Sequence, residues 1–63
     1  MERPWDVKQL AAETGIPAAT WRYYEHRGTG PRSFKIGGRR FWRPSDVEKW
    51  LDEQYRESGR VSA

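Results

Sequence analysis

AATWRYYEHRG, residues 18–28, is the most informative segment of the sequence. At about 100° per residue, a helix over this stretch places the bulky Trp21 and Tyr24 on one side, where they can pack inward. The opposite side mixes one cation, two planar hydrogen-bonding groups and one small residue: Arg22, Tyr23, His26 and Ala19. Such a mixture suits the edges of DNA bases, which offer donors, acceptors and methyl groups in the major groove. A solvated polar face is the alternative, and both interpretations fit this stretch taken alone.

The composition limits the classes of protein to consider. The length of 63 residues allows one small domain with a thin hydrophobic core. The chain has no cysteine and one histidine, which excludes disulfides, thiolate metal sites and the usual metal-ligand sets. Four tryptophans supply apolar burial, at roughly 150–250 Å² for each large aromatic side chain. No apolar run approaches the roughly 18 residues of a membrane span, and we expect a soluble, intracellular protein without cofactors.

The charge is distributed unevenly along the chain. The total is +3, but residues 18–44 contain seven cations and one carboxylate, a net charge of +6. Residues 45–57 contain five carboxylates and two cations, a net charge of −3. A basic middle followed by an acidic end indicates one face made for a polyanion such as nucleic acid.

Several signals define a first helix ahead of this stretch. Asp6 can cap its first turn, Gln9 can complete a capping box, and Gly15 can end the helix in a left-handed conformation. Pro17 is expected in the first turn of the second helix, where a missing N–H costs nothing. A helix, a glycine-containing turn and a second helix form the helix-turn-helix pattern, which unrelated helical hairpins share.

Two β-prone runs predict a hairpin after the second helix. The runs are FKI, residues 34–36, and RRFWR, residues 39–43, joined by Gly37 and Gly38. A basic hairpin in this position is a wing, and either Arg39 or Arg40 can reach phosphates or a narrow minor groove. An ordinary hairpin with solvated arginines is the alternative. Phe41 is predicted either to cover the third helix or to be exposed for a partner.

The third helix is predicted to begin at a Ser45 cap, with Glu48 completing a capping box, and to end near Arg56. Its outer face is acidic, so we expect it to point away from nucleic acid. Its inner stripe contributes to the core, and Tyr55 is a further candidate for that stripe. The predicted core joins all the elements and consists of Leu10, Trp21, Tyr24, Ile36, Trp42, Val47, Trp50 and Leu51.

These elements predict an α+β, mostly helical fold: a winged helix-turn-helix with a two-stranded wing and a third helix. We expect this domain to occupy residues 1–56 and a flexible C-terminal tail to occupy residues 57–63. No nucleophile–base pair or carboxylate dyad is suggested, so we expect neither an enzyme nor a small-molecule substrate.

The sequence resembles two groups of winged-helix proteins. VKQLAAETGIPAATWRYYEHRG, residues 7–28, is similar to the opening of MerR-type winged-helix domains. FKIGGRRFWRPSDVEKWL, residues 34–51, is similar to the excisionase and AlpA-like proteins of phages and mobile elements. The resemblance implies a small DNA-binding protein, often an excisionase or recombination directionality factor. An effector-sensing MerR-type regulator is not expected, since those proteins continue into a long dimerisation helix.

The resemblance also implies roles for individual residues. The implied base-reading positions are Ala19, Tyr23 and His26, and the implied backbone or wing contacts are Arg22 and Arg39 or Arg40. The Thr20 hydroxyl can serve either the helix backbone or a phosphate. Pro17 stands where the family has a Ser or Thr cap, and Ala18 and Ala19 are small, so we expect sparse base reading. The candidate DNA-binding residues are Ala19, Thr20, Arg22, Tyr23, His26 and Arg27 in the helix and Lys35, Gly37, Gly38, Arg39 and Arg40 in the wing.

Several hypotheses for function follow, and all but the last have double-stranded DNA as the partner. The first is an architectural, DNA-bending excisionase that acts as several copies, with an integrase as a further candidate partner. It would work in the cytoplasm of a bacterial host, associated with the nucleoid, in excision of a viral genome. The second is a small phage or plasmid transcription regulator with the same fold. The others are the DNA-recognising part of a packaging complex and a protein-interaction module that never touches DNA.

Overall fold

A computed structural model describes residues 2–61 of the chain. Its elements are α1 (Val7–Thr14), α2 (Ala18–Arg27), β1 (Phe34–Ile36), β2 (Arg39–Phe41) and α3 (Pro44–Val61). Helices α1 and α2 pack together, and the two strands pair antiparallel as a wing after α2. This confirms the predicted winged helix-turn-helix architecture. Within residues 2–61, no helix is long and apolar enough to cross a membrane.

The predicted ends of α1 are confirmed. The Asp6 carboxylate accepts the Gln9 N–H at 2.8 Å, and the Gln9 side chain accepts the Asp6 N–H at 3.4 Å, which completes the capping box. Gly15 ends the helix with a φ of 76°, a left-handed conformation that glycine adopts without strain. Pro17 lies one residue earlier than predicted, before α2 begins, and its carbonyl accepts the Thr20 N–H at 3.0 Å.

Four buried side chains form the core, and each comes from a different part of the chain. Leu10, Trp21, Trp42 and Val47 are at most 3% exposed. Trp50 is half-buried beside them, with its ring centroid 5.6 Å from that of Trp21. The core therefore joins both helices of the helix-turn-helix to α3 and to the end of the wing.

One residue predicted in the core, Ile36, and one further candidate, Tyr55, lie outside it. Ile36 is 57% exposed, because it occupies the end of β1 nearest the hairpin tip, where it lines an open groove with Pro4 and Phe34 and does not reach the core. Tyr55 is 77% exposed, because it follows Leu51 by one turn, beyond the part of α3 that packs on the core. Phe41, for which two locations were predicted, is half-buried with its ring 6.3 Å from that of Phe34, its partner across the hairpin.

The third helix begins two residues earlier than predicted, with its cap at residue 43 instead of 45. It starts at Pro44, and proline suits this position because the N–H that it lacks would have no hydrogen-bond partner in the first turn of a helix. The Arg43 carbonyl accepts the Asp46 N–H at 3.0 Å and so precedes the helix as its cap. Ser45 is therefore a first-turn residue, and the predicted capping box of Ser45 and Glu48 is wrong.

The segment before α1 is tied to the rest of the domain at two points. The Glu2 carboxylate accepts the Ser45 hydroxyl at 2.6 Å and the Ser45 N–H at 3.0 Å, and it pairs with Arg43 at 3.2 Å. These hydrogen bonds, with the charge of Arg43, hold the pKa of the Glu2 carboxyl below its ordinary value. Trp5 and Trp42 exchange backbone hydrogen bonds of 2.8 and 2.9 Å. Both ties are long-range contacts that the local pattern of the sequence does not contain.

The third helix also ends later than predicted. Its backbone stays helical to Val61 rather than ending near Arg56. The additional turn contains Gly59 and no proline, and an interior glycine weakens a helix by about 1 kcal/mol without ending it. The helix thus includes the first residues of the predicted tail 57–63, while residues 62 and 63 lie outside the described part of the chain. A domain boundary at residue 56 stays a prediction.

Trp50→Ala tests whether α3 is docked on the core. We expect the free energy of unfolding to fall by about 3 kcal/mol, because the aromatic contacts of Trp50 with Trp21 and Tyr24 are lost. Tyr55→Ala is the matched control on the same helix, and we expect a change of at most about 0.5 kcal/mol. Urea unfolding followed by far-UV circular dichroism measures both. A loss below about 1 kcal/mol for Trp50→Ala would mean that α3 contributes little to the core.

Candidate nucleic-acid interface

The outward face of α2 carries the predicted row of side chains. Trp21 is 1% exposed and fixes which side of the helix faces the core. The opposite side is exposed at Ala19, Arg22, Tyr23 and His26, as predicted from the helical period. Arg27 is also exposed, whereas Thr20 is half-buried at the start of the helix.

Tyr23 and Arg27 form a pair on this face. Arg27 Nη1 donates a hydrogen bond to the Tyr23 hydroxyl at 3.1 Å, and Arg27 Cζ lies 5.5 Å from the centroid of the Tyr23 ring. The contact restricts the tyrosine, which is 55% exposed. Because the hydroxyl oxygen already accepts a hydrogen bond, its own proton is available to a base acceptor such as guanine N7 or O6. Both residues were predicted from the sequence as candidates for DNA binding, but the contact between their side chains was not.

The hairpin presents a bare tip. Gly37 and Gly38 have φ angles of 57° and 79°, the positive values that a two-residue type I′ turn requires at both positions. Their side-chain-free tip is exposed, and the turn pairs Lys35 with Arg40 and Ile36 with Arg39 across the strands. Lys35 is exposed beside the tip.

Arg40 attaches the wing to α2. Its Nε lies 2.9 Å from the Glu25 carboxylate, and its Nη1 donates to the Ser33 hydroxyl at 2.7 Å. The Arg40 side chain is 30% exposed, so this guanidinium is largely committed to contacts within the protein. Glu25, the one carboxylate of the basic segment 18–44, thereby has its charge paired.

Arg39 attaches the wing to the start of α1, but more loosely. Its Nη2 lies 3.0 Å from the Asp6 carboxylate that also caps α1, and its side chain is 68% exposed. Exposed ion pairs of this kind contribute about 0–1 kcal/mol, so a DNA phosphate can compete with Asp6 for Arg39. DNA contacts by Arg39 and Arg40 stay predictions, and the geometry makes Arg39 the more accessible of the two.

A groove of about 470 Å³ lies where the start of α1, the middle of α2 and the wing meet. Two of its cations, Lys8 and Arg22, make no ion pair with any residue of the described range 2–61. The groove is lined by Asp6, Val7, Lys8, Arg22, Glu25, Arg39, Arg40 and Trp42. Since both carboxylates of the groove already pair with wing arginines, it presents net positive charge to a ligand.

Residues 6–55 match a family model described as a helix-turn-helix domain. The chain belongs to the helix-turn-helix domain family. The family supports sequence-specific DNA binding, and its members are typically not enzymes. No curated protein and no solved structure matches the chain.

Membership of the helix-turn-helix family assigns expected positions to the two helices. In such domains the second helix lies in the major groove and the first crosses the DNA backbone. Helix α2, with its exposed row, is therefore the expected recognition helix. Lys8 on α1 is exposed and becomes a candidate phosphate contact. It was not among the residues predicted from the sequence, although Val7, the residue before it, was predicted to face inward and does pack on the core.

The third helix lies apart from this groove. None of the groove-lining residues belongs to α3, and the carboxylates Asp52, Glu53 and Glu57 are exposed on that helix. Asp52 pairs with Arg56 one turn later, which raises the pKa of the Arg56 guanidinium. No group of His, Cys, Asp or Glu side chains suited to a metal ion occurs within residues 2–61.

Two substitutions, Arg22→Ala and Tyr23→Ala, should distinguish contacts with the DNA phosphates from contacts with the bases. We expect wild-type binding to fall with salt at a log–log slope of roughly −4 to −5, as if about five phosphates were neutralised. Arg22→Ala should weaken binding to all sequences about equally and should reduce the slope by about 1. Tyr23→Ala should keep the slope and lower the specificity ratio by about 1–3 kcal/mol.

Fluorescence anisotropy at several salt concentrations measures these quantities. The specific duplex is one selected from random-sequence DNA by the wild-type protein, and a scrambled duplex gives the non-specific affinity. Tyr55→Ala on α3 is the matched control and should behave as the wild type. An unchanged specificity ratio for Tyr23→Ala would show that the recognition face is assigned incorrectly.

Proposed function

We propose that the protein is an architectural DNA-binding factor of the excisionase type. In this proposal several copies load side by side on repeated sites, bend the duplex and assist an integrase. The observation that carries the proposal is the basic groove formed by the start of α1, α2 and the wing, in which Lys8 and Arg22 make no ion pair with any residue of the described range 2–61. A surface of this kind fits two neighbouring segments of one duplex backbone.

The small size of the reading surface supports the use of several copies. A single module of this size buries roughly 600–1,000 Å² on DNA. Ala18 and Ala19 at the start of α2 offer no hydrogen-bonding side chains, so base reading is confined to about one turn of helix. Neighbouring copies on repeated sites, or a bound integrase, raise the local concentration and turn weak contacts into selective binding.

The link between wing and helix supports bending. Because Arg40 is paired with Glu25 on α2 and with Ser33 before β1, the wing is held at one angle to the recognition helix. A duplex that contacts both elements must adapt its own shape to them, at a cost that depends on its sequence. Bending of the DNA is then part of how a site is selected.

The biological setting comes from the resemblance of residues 34–51 to excisionase and AlpA-like proteins. The helix-turn-helix family that matches the chain includes small proteins of this type. We therefore propose action in the cytoplasm of a bacterial host, on nucleoid-associated DNA, during excision of a phage or other mobile element.

Three measurements test the proposal on a duplex with repeated selected sites. We expect sedimentation to show a monomer without DNA, gel shifts to show a ladder of cooperative steps, and circular-permutation assays to show curvature. A preformed dimer that occupies one inverted repeat without bending it would contradict the architectural role. That result would favour the small phage or plasmid transcription regulator instead.

A further inference from the structure

Ile36 is exposed where its residue type predicts burial. It is 57% exposed, whereas Phe34, two residues earlier on the same face of β1, is half-buried. Arg39 lies opposite Ile36 in the hairpin but does not cover it. The Arg39 side chain instead extends away, so that its Nη2 lies 3.0 Å from the Asp6 carboxylate and its Cζ lies 5.8 Å from the centroid of the Phe41 ring. Single exposed aliphatic residues are common on protein surfaces, so exposure alone does not indicate a function for Ile36, and its location must be considered.

That location is directly behind the tip of the wing. Gly37 and Gly38 form the tip, and a Cβ placed on either glycine would meet no atom within 4 Å. The tip is therefore thin and surrounded by open space, and Ile36 is the first side chain behind it on β1. Any surface that the tip enters will meet Ile36 and Arg39 first.

The charges around Ile36 indicate what that surface is. Lys35 precedes it and Arg39 lies opposite it, and both cations are exposed within the segment 18–44 of net charge +6. Towards the body of the domain, Ile36 lines an open groove in which Arg43 is paired with Glu2. An apolar side chain between two exposed cations fits a partner with apolar surface between two anionic edges. Double-stranded DNA has this arrangement in its minor groove, where stacked bases lie between two phosphate backbones.

We propose that Ile36 enters the minor groove and inserts between two stacked base pairs, so that this side chain produces the bend. The inference rests on the proposed DNA-bending function and names the residue responsible. The minor groove of B-DNA is about 6 Å wide, and the strands of a hairpin lie about 4.8 Å apart before their atomic radii are added. The wing therefore needs an opened groove, and a wedge that unstacks a base step opens it. Flexible pyrimidine–purine steps are the expected sites.

Substitutions at Ile36 separate insertion from a role in the hairpin. Ile36→Thr keeps the β-branched shape that strands favour but adds a polar hydroxyl, whereas Ile36→Leu keeps the apolar character and loses the branch at Cβ. We expect the wild type and Ile36→Leu to bend a selected duplex by an angle in the range of roughly 20–90°, and Ile36→Thr to fall below it. A purely structural role would give the opposite order.

The bend angle is measured by fluorescence resonance energy transfer between the duplex ends. Tyr55→Ser, a polar substitution at an exposed aromatic residue of α3, is the control and should bend DNA as the wild type does. Wild-type protein should also increase the fluorescence of 2-aminopurine placed at one pyrimidine–purine step, a readout that does not depend on any variant folding. Thermal unfolding of each variant, followed by circular dichroism, checks the fold.

The outcomes distinguish the two proposals. A straight duplex with the wild-type protein would overturn both the bending function and the wedge. A bent duplex with no 2-aminopurine response, or with an equal bend from Ile36→Thr, would overturn the wedge and leave the bending function standing. A bend lost in Ile36→Thr and kept in Ile36→Leu and Tyr55→Ser would support it.

Discussion

The burial of Trp21 is the constraint on which the proposed DNA-binding surface depends. Its side chain is 1% exposed, its ring lies 5.6 Å from that of Trp50, and its indole N–H donates to the Thr14 hydroxyl at 3.2 Å. Thr14 in turn donates to the Leu10 carbonyl at 2.7 Å, so the polar end of the tryptophan is satisfied within α1. These contacts fix the rotation of α2 about its own axis. Since each residue advances about 100°, the same rotation turns Arg22 and Tyr23 to the outside.

The ion pairs of the wing set the second constraint, which is the angle between the wing and the recognition helix. Arg40 is half-buried against Glu25 and Ser33, and Arg39 reaches Asp6 from the other strand. The half-buried pair of Arg40 with Glu25 holds this angle, whereas the exposed pair of Arg39 with Asp6 contributes about 0–1 kcal/mol and can give way to a phosphate. The pair with Arg40 also accounts for the one carboxylate of the basic segment 18–44, because Glu25 positions this arginine.

Local patterns in the sequence predict the elements, and long-range contacts account for most of what they miss. The Asp6–Gln9 capping box, the Gly15 turn and the Gly37–Gly38 hairpin depend on neighbouring residues, and all three are found in the structure. The start of α3 depends in part on Glu2, which is 43 residues from Ser45, and no local pattern indicates that contact. The periodicity of apolar residues predicts which face of a helix or strand a side chain lies on, but not how far along that element the core extends. For this reason Ile36 and Tyr55 were expected to contribute to the core, although both are exposed. For the candidate site, the exposed row of α2 follows from the helical period, whereas the pairing of Arg39 and Arg40 with Asp6 and Glu25 does not.

We propose that α2 and the wing form one DNA-binding surface and that α3 lies outside it. Titration of ¹⁵N-labelled protein with a selected duplex, followed by amide chemical shifts, tests this claim most directly. We expect the largest changes at the exposed residues of α2 and at residues 35–40, with small changes at residues 52–58 of α3. Changes centred on α3, or changes in α2 with none in the wing, would contradict it.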